Sequence, residues 1–214
     1  MGLKTEEVRE IVERIASVIE ENKEFLTELD SIIGDADHGI NMTKGFRAVK
    51  DKLKSAQIKD IGDIFKIVGM ALVANVGGAS GPLYGTAFMK AGTAASGKQS
   101  IDIKDFCIIL EAAVDGIKAR GKAERGDKTM IDALEPALAE VKDGLEKDLL
   151  PVTVLERAKE AALKGVDYTK GIAARRGRAS YLGDRSIGHQ DPGATSSYLI
   201  LNCIYESIKA RETP

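Results

Sequence analysis

Apolar residues recur at helical spacing along almost the entire chain. Val8, Ile11, Val12, Ile15 and Ile19 follow the i, i+3, i+4, i+7 pattern of one helix face. Ile61, Ile64, Phe65, Val68 and Leu72 repeat it, as do Phe106, Ile109, Leu110, Ala113 and Ile117. Tyr198, Leu201, Tyr205 and Ile208 carry it to the end of the sequence. No alternation of period two competes with it, so the chain is expected to be all-α. The pattern predicts eight helices, at about 4–33, 41–54, 60–75, 82–97, 103–119, 128–147, 152–174 and 193–210.

Helices joined by short loops pack as an antiparallel up-and-down bundle or barrel, in which odd-numbered connections gather at one end and even-numbered ones at the other. The even connections, at 55–59, 98–102 and 148–151, are short and contain no glycine. The odd connections, at 34–40, 76–81, 120–127 and 175–192, hold ten glycines, among them Gly34, Gly39, Gly77, Gly78, Gly121 and Gly177. Both histidines, His38 and His189, also lie there. Glycine lets backbone approach a ligand closely, and helix capping alone would need it at both ends. One end of the bundle is therefore the expected site.

The composition narrows the class. A length of 214 residues suits one domain, here taken as 1–214, with 43% apolar and 30% charged residues. The formal charge of −2 gives no general basic field for nucleic acid or an anionic membrane. The local run Arg175, Arg176, Arg178 and Arg185 reads equally as a solvated face or as part of a site. The charged first ten residues have no apolar signal core, and no apolar run reaches membrane-spanning length. Cys107 and Cys203 fall within helical patterns and read as buried free thiols. A cytoplasmic location is expected.

The strongest chemical signal is Leu29-Asp30-Ser31-Ile32-Ile33-Gly34-Asp35-Ala36-Asp37-His38-Gly39-Ile40-Asn41. Asp30, Asp35 and Asp37 offer hard oxygen donors to Mg²⁺, which takes a few carboxylates together with water and substrate phosphates. An EF-hand fails, because Phe46 stands where its final glutamate is required. Capping of the next helix would occupy one aspartate rather than three. His38 is expected either to orient a phosphate or to hydrogen-bond the loop.

Gly77-Gly78-Ala79-Ser80-Gly81-Pro82 precedes a helix, with Pro82 in its first turn, and forms a candidate anion cradle. Asp191-Pro192-Gly193 repeats the arrangement before the last helix. Gly92 to Lys98 has the spacing of a P-loop, but Gln99 replaces the magnesium-binding hydroxyl and a helix leads in, so that reading is rejected. Asp127 is a candidate N-cap for the sixth helix. Met130 reads as core or as packing for a flat base. Arg178 carries a fork of donors suited to phosphate oxygens, and His189 reads as a loop histidine. Together these residues suggest a magnesium–nucleotide site whose phosphoryl chemistry depends on positioning and charge neutralisation.

Four ordered blocks resemble the nucleotide-binding subunits of dihydroxyacetone kinases: Gly34–Met42, Gly77–Thr86, Gly126–Met130 and Gly177–Ser186, followed by Asp191–Ala194. The resemblance covers nearly the whole chain and implies an eight-helix antiparallel barrel. It implies that Asp30, Asp35 and Asp37 hold two Mg²⁺ ions bridging the phosphates of ADP or ATP. It implies that His38, Gly39, Ile40 and Asn41, with Ala79 and Ser80, contact phosphates and ribose. Gly121 and Met130 would lie by the adenine, and Arg178, Asp191, Pro192 and Gly193 would complete the pocket, with Arg178 catalytic.

A complete kinase of this kind also needs a domain that binds dihydroxyacetone covalently, and 214 residues leave no room for one. The expected partner is therefore a separate dihydroxyacetone-binding subunit. In the phosphotransferase-system branch that the chain resembles, a phosphohistidine protein rephosphorylates an ADP kept as cofactor. The rival readings are a fatty-acid-kinase component of the same fold, a nucleotide-dependent regulator contacting a transcription factor, and a metal-dependent hydrolase. The last lacks a base or nucleophile beside the acids, apart from His38.

Overall fold

The computed structural model describes residues 2–212. It is all-α, as expected, with α1 Thr5–Glu21, α2 Lys23–Ile33, α3 His38–Ser55, α4 Ile61–Asn75, α5 Ser80–Ala94, α6 Ile103–Gly121, α7 Ile131–Glu146, α8 Pro151–Lys170 and α9 Pro192–Glu212. A 3₁₀ segment, Arg178–Ser186, precedes α9. The only strands among the described residues are β1 Leu3–Lys4 and β2 Ser100–Ile101, an antiparallel pair with Leu3 opposite Ile101.

Three details differ from the sequence expectation of eight helices. The segment expected as one helix over 4–33 is two, broken at Asn22, whose backbone leaves helical geometry at φ −96° and ψ 11°. The sixth helix begins at Ile131 rather than near 128, because Lys128 has a left-handed backbone with φ +62°. The connection expected over 175–192 carries the 3₁₀ segment instead of open loop.

The chain divides into two compact units. The first contains residues up to Glu20 together with Asn41–Lys122; the second contains Glu21–Ile40 and everything from Ala123 onward. In the first unit, α4 and α5 run antiparallel and touch through glycines. A Cβ on Gly62 would lie 2.7 Å from the Gly92 carbonyl, and one on Gly92 would lie 2.9 Å from the Gly62 carbonyl. Gly69 and Gly85 are related in the same way, at 2.9 and 3.0 Å. The seven-residue spacing on each helix, two turns, keeps these positions on one stripe. Asp60 caps α4 by accepting the Asp63 amide at 2.8 Å, and its other oxygen accepts the Gly97 amide at 2.8 Å. Asp102 and Asp105 form a reciprocal capping box on α6.

In the second unit α8 packs on α7 and on α9, and α2 packs on α9 and on the 3₁₀ segment. Gly165 sets the α7–α8 approach, since a Cβ there would lie 2.0 Å from the Asp132 carbonyl oxygen. Backbone stands on the far side of that contact, so neither helix can yield by turning a side chain. Gly165→Ala gains about 1 kcal/mol of helix propensity but overpacks a backbone contact, a change that costs up to about 3 kcal/mol. The net expectation is a melting temperature lower by about 5 °C, read by calorimetry. An unchanged or raised melting temperature would show that the two helices separate freely. Among the described residues, no helix is long and apolar enough to cross a membrane.

Candidate functional site

The acidic loop is built on Asp30. This residue sits in the last turn of α2 and is buried, with 8% of its surface exposed. Its Oδ2 accepts the Asp37 amide at 2.9 Å and the His38 amide at 3.1 Å, which folds residues 34–37 back around it. Gly34 makes the fold-back possible, because a Cβ there would lie 2.0 Å from Asp30 Oδ1. Ala36 takes a left-handed backbone at the bend, with φ +60°. Asp30 thus also satisfies the first amide of α3, so capping and metal-ligand readings meet in the same carboxylate. Ligand oxygens of Asp30, Asp35 and Asp37 all lie within 4.8 Å of one another. Carboxylates this close repel one another, and a cation among them relieves that repulsion. Their chemistry and spacing fit Mg²⁺.

His38 opens α3 and is buried at 6% exposure. Its Nε2 lies 2.9 Å from Ser196 Oγ, itself within reach of the Pro192 and Gly193 carbonyls. Burial pulls its pKa down to about 4 against the opposing charge of Asp30, so the ring is neutral at physiological pH. The bond to Ser196 ties the start of α3 to the start of α9. Gly39 follows because a Cβ there would meet the Lys23 carbonyl at 2.0 Å. Ile40 is about half exposed.

Arg178 stands at the start of the 3₁₀ segment, and its Nη2 pairs with Asp35 Oδ2 at 2.9 Å. Ser186 Oγ accepts the Ala174 amide at 2.8 Å and donates to the Gly183 carbonyl at 2.6 Å, closing the segment at its base. Ala174 and Ala179 form a small apolar cluster with Ile33 of α2, and Leu182 packs against it. All four arginines of the run, Arg175, Arg176, Arg178 and Arg185, are exposed. Arg176 pairs with Asp127 at 3.5 Å, and the Arg175 amide donates to the Asp127 carbonyl at 3.1 Å.

The expectation that Asp127 caps the sixth helix is corrected. Its carboxylate accepts the Glu124 amide at 3.0 Å, three residues back, while Met130 occupies the cap position of α7 without a side-chain cap. Asp132 folds this loop instead, accepting the Gly126 amide at 2.6 Å and the Thr129 amide at 2.8 Å. Met130 is buried. Asp191 Oδ2 accepts the Ala194 amide at 2.7 Å and so caps α9, with Pro192 as its first residue. Burial pushes the Asp191 carboxyl up to about 7; nearby Asp132 and Asp30 add to the shift, and the Ala194 amide and Lys128 oppose it. Lys128, buried beside these acids, is the neighbour that sequence reasoning missed.

The acids at 30, 35 and 37, His38 to Ile40, Met130, Arg178 and Asp191 to Gly193 all belong to the second unit. Asn41, Ala79, Ser80 and Gly121 belong to the first. There, a Cβ on Gly77 would lie 3.0 Å from the Asn41 amide group, Gly78 has φ +64°, and Ser80 opens α5 with Pro82 in its first turn. Gly121 ends α6, and a Cβ on it would lie 3.0 Å from Leu83. Lys98, of the rejected P-loop, pairs with Asp105 at 2.8 Å.

Residues 32–206 match the family model described as the DAK2 domain. The ADP-binding subunit DhaL of the PEP-dependent dihydroxyacetone kinase of Escherichia coli (strain K12) is 43% identical over 204 residues, covering 95% of this chain and 97% of that protein. The corresponding subunit of the PTS-dependent dihydroxyacetone kinase of Lactococcus lactis subsp. lactis (strain IL1403) is 41% identical over 191 residues, covering 89% of this chain and 91% of that one. The crystal structure of the dihydroxyacetone kinase from C. freundii in complex with AMP-PNP and Mg²⁺ is similar with a TM-score of 0.71 at 26% identity. That match covers 97% of this chain and 35% of the longer kinase chain, so the present chain spans about a third of it.

Proposed function

The chain belongs to the DAK2-domain family, and from that premise we propose that it is the ADP-binding subunit of a dihydroxyacetone kinase. It transfers a phosphoryl group from a Mg²⁺-bound nucleotide to dihydroxyacetone held on a separate subunit. ADP stays bound as a cofactor and is rephosphorylated by a phosphohistidine protein. The observation that carries this reading is the convergence of Asp30, Asp35 and Asp37 within 4.8 Å, with Arg178 paired to Asp35 beside them. The relatives' naming as ADP-binding subunits supports the rest.

In this reading Asp30, Asp35 and Asp37 hold two Mg²⁺ ions. Bound Mg²⁺ neutralises phosphate charge and fixes the phosphates for in-line transfer. The first-turn amides of α3 at Gly39 and Ile40 face an anion, as amides at a helix start do. His38, held neutral on Ser196, keeps that turn in place. Arg178 spreads its fork over the charge that develops on the transferring group. Met130 and the turn Asp191 to Gly193 wall the base and complete the pocket. The roles of Asn41, Ala79, Ser80 and Gly121 rest on the family resemblance alone.

The carrier role of ADP has a direct test. Protein purified without added nucleotide is expected to release ADP on denaturation. Radiolabelled ATP is then supplied with the dihydroxyacetone-binding subunit and dihydroxyacetone, omitting the phosphohistidine donor. One turnover or fewer per site is expected, because charge-assisted contacts to a diphosphate slow its exchange. Sustained turnover on free ATP would refute the carrier role and leave an ordinary ATP-using kinase subunit.

A further inference from the structure

Lys128 has only 1% of its surface exposed and a left-handed backbone, with φ +62°. An ammonium carries three donors and no acceptor, and burying it is costly unless those donors are satisfied. Here they reach three backbone carbonyls: Thr169 in the last turn of α8, Ile172 just beyond at 3.4 Å, and His189 in the stretch leading to α9. Carbonyls at a helix end bear partial negative charge, which suits a cation. One side chain from the loop before α7 thereby fastens the end of α8 to the segment before α9.

The fastening continues in both directions. Thr169 Oγ1 accepts the Asp191 amide at 2.9 Å, and Asp191 in turn caps α9 through the Ala194 amide. On the other side, Asp132 accepts amides at Gly126 and Thr129, which fixes the backbone around Lys128 itself. Met130 follows two residues later. A Cβ on Gly193 would lie 3.7 Å from both the Met130 Cβ and its amide nitrogen, so the two stand side by side in contact and offer a ligand one joint surface. Lys128 belongs to the loop that carries Met130, and its ammonium bonds the His189 carbonyl in the stretch that leads to the other wall.

We propose that Lys128 is a positioning residue for the nucleotide, setting how Met130 and the Asp191–Gly193 turn stand against each other and thereby the joint surface they offer the adenine. It does this without touching the nucleotide. The inference rests on the nucleotide site proposed above, whose base wall it explains. A purely structural lysine would hold the whole unit together and affect every ligand alike.

Lys128→Met keeps the apolar stem and removes the ammonium. Binding of Mg²⁺–ADP and of Mg²⁺–pyrophosphate, which has no base, is compared by isothermal titration on the full chain. The variant is expected to lose about tenfold or more in ADP affinity while pyrophosphate affinity changes by less than about twofold, since supporting residues act on the group they orient. Equal losses for both ligands, or no loss for either, would overturn the proposal. Thr169→Val retains Lys128 and the side-chain shape but removes the hydroxyl that joins the network to Asp191. It is expected to show the same selectivity with a smaller loss, and it decides the matter if Lys128→Met does not fold: unchanged ADP affinity would overturn the proposal. A wild-type chain that binds neither ligand would instead sink the nucleotide site itself, and this inference with it.

Discussion

Asp30→Asn is expected to weaken Mg²⁺-dependent ADP binding by about a hundredfold or more, equivalent to roughly 2.7 kcal/mol or more of binding free energy. The substitution is nearly isosteric, and the asparagine carbonyl can still accept the Asp37 and His38 amides that Asp30 Oδ2 accepts now. The loop therefore keeps most of its shape. What is lost is one of three negative charges whose oxygens stand within 4.8 Å of each other. Mg²⁺ requires hard anionic donors, and an amide NH₂ aimed at a cation repels it. Asp35→Asn and Asp37→Asn are expected to act in the same direction, with Asp35→Asn also loosening Arg178. Isothermal titration with ADP and Mg²⁺, together with far-ultraviolet circular dichroism, checks this. Wild-type affinity in all three variants would remove the metal site from these residues.

Arg178→Lys is expected to lower turnover by about tenfold to a thousandfold, with a much smaller change in nucleotide affinity. Lysine keeps the positive charge but replaces a planar fork by a point charge on a flexible stem. If the fork meets charge that appears only as the phosphoryl group transfers, its loss is felt in kcat rather than in binding. The structure gives the arginine a defined stance: it pairs with Asp35, on a 3₁₀ segment closed at its base by Ser186. Turnover with the dihydroxyacetone-binding subunit and the phosphohistidine donor is compared with ADP affinity measured separately. Wild-type turnover in the lysine variant would reduce Arg178 to a strut between its segment and the acidic loop.

The helices were legible because apolar side chains at 3.6-residue spacing have few other ways to be buried. The break at Asn22 was not, since Ile19, Leu26 and Ile33 continue one seven-residue rhythm across it and all three are buried. The 3₁₀ segment was hidden for the opposite reason: it is polar, and glycines at 177 and 183 make it read as open loop. In the acidic loop, chemistry and sequence proximity coincide, with Asp30 to Asp37 supplying both the ligands and the bonds that fold them. Lys128 and Asp132 escaped notice because a lysine in a polar turn and an aspartate opening a helix both have ordinary solvent-facing explanations. Only burial, which local sequence does not report, separates them from ordinary surface residues. The misplaced cap at Asp127 has the same origin, because the left-handed backbone at Lys128 delays the helix by about one turn.

The glycine stripe between α4 and α5 limits how this chain can vary in length. Inserting or deleting one residue within either helix would rotate everything beyond it by about 100°. A side chain would then be driven into a gap where a Cβ would already lie within 3.0 Å of a carbonyl oxygen at Gly62, Gly69, Gly85 and Gly92. Substitutions elsewhere on these helices can accumulate one at a time, but a shift in register cannot. Natural indels between Asp60 and Ala95 should therefore be confined to the turn between the two helices, around 76–79. The paired glycines fix the spacing of this hairpin as a ruler would, against drift that point mutation alone would never reveal.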